Sequence, residues 1–249
     1  MIKTFVVHHL PDTDDLPAAE RWFARLHIPE VLRNRPLSYV SFRAAPPPAG
    51  AEAYGYFNYK VHENLAPGDE EPPLGLAAMS PEVVPLDVVM VTVPAVPTDD
   101  FLGREVSLEE RTVLRWFCVF RYPQGVDPDE ADAWYREVHA PEVLRQPGLT
   151  RFFSYRVQPP RFAIRGGRPP FLHPRSTFSS DWHRVSELWY EDARGWKQSV
   201  VAAPPAYTAP PWATRDTYPF LRPREEFVST FLLERPSDDW LRDVRPFYV

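Results

Sequence analysis

The stretch "WFARLHIPEVLR" runs from Trp22 to Arg33, and "WYREVHAPEVLR", Trp134 to Arg145, repeats it further along the chain. Trp, His, Pro, Glu, Val, Leu and Arg recur at the same places, where chance would match roughly one position in such a window. A repeat of this kind sets the architecture before any local pattern does. The match extends upstream, where "FVVHHLP" (Phe5 to Pro11) lies over "FCVFRYP" (Phe117 to Pro123). Downstream, "SFRAAPP" (Ser41 to Pro47) lies over "SYRVQPP" (Ser154 to Pro160), and "KVHE" from Lys60 over "RVSE" from Arg184. At the far ends, "PTDDFL" (Pro97 to Leu102) matches "PSDDWL" (Pro236 to Leu241). Residues 1–110 and 111–249 therefore read as two copies of one unit. Copy one has a degenerate second helix. Copy two carries a loop insertion at about 160–182 and a Pro-rich segment at 203–223.

Each copy reads as strand, helix, two strands, a variable piece and a last strand. Ala19, Trp22, Phe23 and Leu26 recur at i, i+3, i+4 and i+7, as do Ala131, Trp134, Tyr135 and Val138. Both segments are expected to be amphipathic helices. Strands rich in Val and aromatic residues follow, "SYVSFRA" and "RFFSYRV". "DARGWKQSVV" is a second helix in copy two, whereas "NLAPGDEEPPLGL" in copy one holds too much Pro and Gly for one. The order β-α-β-β-α-β is the ferredoxin-like split βαβ. One face of its antiparallel sheet takes the helices and the other needs a cover. The expected fold is α+β: two tandem ferredoxin-like repeats whose sheets face each other in a pseudo-two-fold barrel.

Composition bounds the function. The net charge of −6 lacks the basic face that nucleic acid requires. No apolar run reaches membrane-spanning length. "MIKTFVVHHL" does not read as a signal peptide. The single cysteine, Cys118, excludes an internal disulfide and fits a reducing cytoplasm. It lies within "WFCVF" and reads as a small buried hydrophobe. Proline is abundant, 31 of 249 residues, and clusters between the elements in loops.

The segment "DEADAWYREVHAPEVLRQPGLTRFFSYRV", supported by "SELWYEDARGW", resembles the EthD-like group of the dimeric α+β barrel superfamily. Copy one departs from the pattern, lacking "PGL" and the second helix. Relatives of this group include muconolactone-type isomerases, cofactor-free monooxygenases, aldoxime dehydratases and haem-dependent proteins, so the resemblance implies fold more than reaction. In methylmuconolactone-isomerase-like relatives the motif histidine and an aromatic residue of the next strand line the pocket. Here that pairs His27 with Tyr39. His139 is the histidine of copy two, with Tyr155 on its following strand.

Imidazole titrates near neutrality, so His27 and His139 are candidate acid/base or hydrogen-bonding groups. A purely structural tie at a break in the helix is the competing reading. Pro29 and Pro141 would start the next helical turn. His8 and His9 are adjacent on a strand and must point to opposite faces. Glu63 and Glu187 could exchange a proton if burial raises their pKa, or could simply pair with Arg43 and Arg156. Tyr59, His62, Tyr155 and Trp189 are further candidates for the substrate pocket, and Arg43 or Arg156 for an oxyanion counter-charge. No metal-binding, phosphate-binding or nucleophile-elbow motif is present.

The expected function is a cofactor-independent isomerase, lyase or dehydratase acting on a small aromatic or lactone-type molecule. A haem-dependent or cofactor-free oxygenase is the alternative, and a non-catalytic ligand-binding protein a third. The expected partner is a small hydrophobic substrate, not nucleic acid or membrane, and the chain would act as a monomer or homodimer.

Overall fold

A computed structural model describes residues 1–68, 84–103, 112–159, 173, 175–202 and 207–242. Most of the expected degenerate piece of copy one, most of the 160–182 insertion and the start of the Pro-rich segment lie outside the described residues. The first half contains β1 (Ile2–His9), α1 (Leu16–Trp22), α2 (Ile28–Arg33), β2 (Ser38–Ala45), β3 (Lys60–Ala66), β4 (Asp87–Pro94) and the short β5 (Asp99–Asp100). The second contains β6 (Leu114–Phe120), α3 (Pro128–Trp134), α4 (Ala140–Val143), β7 (Leu149–Arg156), β8 (Phe178–Ser179), β9 (Arg184–Tyr190), α5 (Ala193–Lys197), β10 (Phe227–Leu233) and β11 (Asp238–Asp239). The fold is α+β with a large, mostly antiparallel sheet. The strands run β2-β3-β1-β4 in the first half and β7-β9-β6-β10 in the second.

The halves are joined by backbone pairing. β10 pairs with β2 through Phe231 and Leu232, and Gln158 N–H donates to the Thr92 carbonyl at 2.8 Å. The tails cross over: Asp99–Asp100 pairs with β7, and Asp238–Asp239 pairs with β2. Strand alternation sends Phe5 and Val7 of β1 and Phe117 and Val119 of β6 into one apolar cluster shared by both halves. Their neighbours face the helices. Val6 packs on the α1–α2 cluster, and Trp116, Cys118 and Phe120 belong to the cluster over α3 and α5. Among the described residues no helix is long and apolar enough to cross a membrane.

The acidic loops start the helices. The Asp12 carboxylate accepts from Asp14 N–H, and Asp127 accepts from the N–H groups of Asp129 and Glu130. The helical stripe differs from expectation in one respect. Leu26, placed on the buried face by its spacing, is 53% exposed, whereas His27 is 5% exposed. A π-helical turn over Phe23–His27 is the reason. It takes up one extra residue, which rotates Leu26 outward and His27 inward. The helix therefore does not break at the histidine. Tyr135–His139 forms the same turn in the second half. In each case the first residue of the next α-turn, Ile28 or Ala140, donates its N–H to the carbonyl five residues back, Phe23 or Tyr135. A proline follows, and its ring would collide with the carbonyl four residues back in a regular α-helix. The wider turn avoids that collision.

The glycines of "QPGL" and "DARGW" also meet. Gly148 adopts a positive φ of 69°; a Cβ on it would lie 3.7 Å from the Gly195 Cα, and one on Gly195 would lie 3.4 Å from the Gly148 Cα. A Cβ on Gly195 would sit 2.3 Å from the Pro147 carbonyl oxygen. Backbone oxygen cannot yield as a side chain can. Gly195→Ala is expected to cost about 3 kcal/mol, read as a lowered urea midpoint with unchanged slope. A variant as stable as the parent would show that this helix docks differently.

Candidate functional site between helix and sheet

In the first half the π-turn delivers His27 onto the sheet face that carries Tyr39, Ser41, His62 and His8. His27 Nε2 lies 2.6 Å from the Tyr39 hydroxyl. Ser41 Oγ lies 2.8 Å from His62 Nδ1 and accepts from Trp240 Nε1–H at 2.6 Å. Phe23 stacks on both His27 and His62, with ring centres 4.7 and 4.4 Å away. His8 stands 5.0 Å from His62 and 6.5 Å from His27, ring to ring. Burial, aided by the neighbouring His27 and Lys60, pushes His8 down to about 3. Burial likewise holds His62 well below the usual histidine range and Tyr39 well above the usual tyrosine range. His8 Nδ1 and His62 Nε2 have no hydrogen-bond partner. Among the described residues no group of three or more His, Cys, Asp or Glu side chains is placed to hold a metal ion.

The second half keeps the frame and changes its contents. Strand register aligns His62 with Ser186, because they pair with the corresponding residues Val6 and Cys118. By the same register Tyr39 corresponds to Phe152, and by the repeat His8 corresponds to Phe120 and Phe23 to Tyr135. Here a cavity of about 50 Å³ opens between helix and sheet. Trp116, Tyr135, His139, Phe152, Ser186 and Tyr218 help line it, and no charged side chain does among the described residues. Pro210, Trp212, Tyr218, Pro219 and Leu221 cover it. His139 lies between Trp134 and Tyr218, nearly parallel to both at 17° and 21°. Its Nδ1 has no partner. The apolar surroundings push its pKa down to about 4, so it is a neutral base at neutral pH. The Tyr135 and Ser186 hydroxyls are 2.7 Å apart. Cys118 also lines the cavity, but burial raises its thiol well above the usual range, which makes it a poor nucleophile.

Other expected site residues lie elsewhere. Glu63 and Glu187 lie on the sheet face opposite the helices, where Arg115 Nη1 bridges them at 2.7 and 3.2 Å. Their expected pairing with Arg43 and Arg156 is not found. Arg43 lies on the opposite sheet face and pairs with Glu20 at 3.4 Å, while Arg156 pairs with Asp129 and Asp132. Both arginines are half-exposed and paired with carboxylates, Arg43 sharing Glu20 with Lys60. Tyr155 packs on Phe5, and Trp189 lies beside Arg115, on that same face. His9 leaves the histidine cluster and lies against Tyr56 at 4.1 Å, while Tyr59 stands beside His8. Ten of the thirteen expected residues thus fall into three places: His8, His27, Tyr39, Tyr59 and His62 in one, Glu63, Glu187, Tyr155 and Trp189 in another, and His139 alone in the third, while His9, Arg43 and Arg156 stand apart.

Arg115, Ser186 and Tyr135 were not anticipated. Arg115 did leave a signal, as the single charge inside the apolar strand "LRWFCVF". Tyr135 left a fainter one, as a phenol where the repeat has Phe23. A wider cleft of about 660 Å³ opens beyond Tyr122. Its arginines are each matched by a carboxylate: Arg121 by Asp181, Arg156 by Asp132 and Arg222 by Glu226.

Comparison with protein-family models and with curated proteins gives no match. Among solved structures, the chain is similar to an EthD family protein from Bacillus halodurans C-125, at 18% identity over 36% of this chain and 72% of that one, with a TM-score of 0.24. It is similar to an anthrone oxidase-like protein at 12% identity, covering 93% and 90% of the two chains, with a TM-score of 0.47. Chlorite dismutase from Candidatus Nitrospira defluvii gives 9% identity, the same coverages and a TM-score of 0.43. None of these three likenesses reaches a TM-score of 0.5.

Proposed function

We propose that the chain is two fused ferredoxin-like units closed into one barrel, and that it is an enzyme acting on a small, uncharged aromatic molecule. The shared strand order and the exchanged tail strands support the first part. One observation carries the second: the buried imidazole of His139, held neutral by its apolar surroundings, borders a cavity walled by aromatic rings, with no charged side chain among the described residues that line it. Such a wall rejects a carboxylate, whose desolvation nothing there would offset. It suits flat rings that stack. His139 is the general base, and proton transfer of the isomerase or lyase type follows from it without a cofactor.

A cavity of about 50 Å³ is smaller than the roughly 150 Å³ that holds benzene, so the cover from Pro210 to Leu221 must yield for a ring to enter. A porphyrin does not fit this space. His27, closed in by Phe23, Tyr39 and His62, serves as the structural counterpart of His139.

The test is a panel of uncharged aromatic ketones, phenols and lactones assayed with the parent protein, His139→Ala and His27→Ala. Turnover is expected to fall at least 100-fold in His139→Ala and to persist in His27→Ala. A substrate converted at the parental rate by His139→Ala would remove the base. Binding without turnover of any compound would leave a binding protein rather than an enzyme.

A further inference from the structure

We infer that Tyr218 and Trp212 form the gate of this cavity, with the Tyr218 ring holding the place that a substrate ring takes when the segment Tyr207–Leu221 swings away. The inference rests on the cavity reading above and specifies how a flat ring enters.

Exposure places the mouth. Five residues that line the cavity are only partly buried: Trp134 and His139 on the helix, and Trp212, Tyr218 and Pro219 on the cover. The other described lining residues are buried. The way out therefore runs between helix and cover, and two ring pairs close it. Trp212 meets Trp134 edge to face at 5.4 Å, and Tyr218 lies 5.8 Å from His139, inclined by 21°. Tyr207, from the same segment, stacks on Tyr218 at 4.5 Å.

The cover is built to move as one piece. Three backbone hydrogen bonds lie within it: Ala213 N–H to the Pro210 carbonyl, Thr214 N–H to that of Phe220 and Phe220 N–H to that of Thr217. Among the described residues, no backbone–backbone hydrogen bond joins 207–221 to the rest of the fold. Side chains make the ties instead. The buried Glu142 carboxylate accepts from Thr208 N–H at 3.0 Å and from the Thr208 hydroxyl at 2.6 Å. Gln146 Nε2 donates to the Tyr207 hydroxyl at 2.5 Å, the Tyr54 hydroxyl donates to the Tyr218 carbonyl at 3.4 Å, and Thr214 donates to Glu226. A segment fastened by a few side-chain bonds opens more easily than a strand in a ladder.

Tyr218 is the ring that can yield. Trp116, Phe152 and Phe227 also wall the cavity, but they sit on β6, β7 and β10, whose backbones are fixed by sheet pairing. When Tyr218 leaves, its volume joins the free space of about 50 Å³, and the His139 ring loses the partner that lay nearly parallel to it. A flat, uncharged ligand ring can take up that contact. The gate therefore favours planar molecules.

Binding then draws on the open state, so apparent affinity scales with the fraction of protein that is open. Toluene is the probe. Thr208→Val, at an exposed position, removes one bond to the Glu142 carboxylate and is expected to tighten toluene binding about tenfold in calorimetry. In the parent protein the Thr208 amide should exchange its hydrogen faster when toluene is bound. Tyr218→Ala removes the ring itself, so toluene should bind at least about tenfold more tightly, and adding Thr208→Val should then gain less than about twofold. A further full tenfold gain in that double variant would show that Tyr218 is not the ring displaced. Toluene affinity unchanged by Thr208→Val, with no faster exchange at Thr208, would overturn the gate and leave the cavity reading standing. Failure of toluene to bind the parent protein and both single variants would instead overturn the cavity reading.

Discussion

Lowering the pH from 7.5 to 5 is expected to remove about 4 kcal/mol of stability through His8 and His139 alone. The folded protein holds His8 near pKa 3 and His139 near 4, against 6.5 for a free histidine. Below 6.5 the unfolded chain binds protons that the folded chain refuses, so stability falls with pH through that window and levels off near the folded pKa. At pH 5 each group contributes about 2 kcal/mol of loss, at roughly 1.4 kcal/mol per pH unit. Burial of His62 acts in the same direction. Glu187 acts against it, because burial raises its carboxyl and lets the folded state hold that proton longer. A domain with about 5–15 kcal/mol in total would lose a large part of its margin. Urea unfolding at pH 7.5, 6 and 5 measures the loss. His8→Phe, which installs the residue found at Phe120, should recover about 2 kcal/mol of it at pH 5. Equal stability at all three pH values would show that these rings take up protons in the fold as readily as in the unfolded chain.

Replacing Arg115 by Ala is expected to cost about 3–5 kcal/mol at neutral pH. Its side chain is only 3% exposed and lies between Phe42 and Trp189, with ring centres 4.0 and 5.0 Å away. Without it, Glu63 and Glu187 face each other with only Lys3, 3.8 Å from Glu63, left as a paired cation among the described residues. The cost should shrink at lower pH, where the carboxylates can take protons. Removing the whole triad, as Arg115→Met with Glu63→Gln and Glu187→Gln, should be milder than Arg115→Ala, because no unpaired charge is left buried. A loss under about 1 kcal/mol in Arg115→Ala would mean that water reaches the pair and screens it.

How legible the site was depends on the range of the physics. His27 and Tyr39 met because both lie on elements whose order the repeat revealed, and strand alternation separated His8 from His9. Arg43 and Arg156 were misplaced because pairing across a sheet depends on which face each residue takes. That face is set by register, and one residue of slip reverses it. Leu26 was misplaced because the π-turn changes the phase of the helix, and a spacing rule assumes a constant pitch. The likenesses between the halves hid their difference. Equivalent frames hold histidines that fill the space in one and a cavity in the other.

The twin segment by itself determined the strand and helix order, the amphipathic helices and the duplicated histidine, because these follow from local period and from copying. Only the tertiary structure decided that His139 borders a cavity while His27 is closed in, and that Arg115 gathers two glutamates from opposite halves. Both outcomes depend on side chains far apart in the chain, whose spacing is fixed by strand register and by packing rather than by any neighbour in sequence.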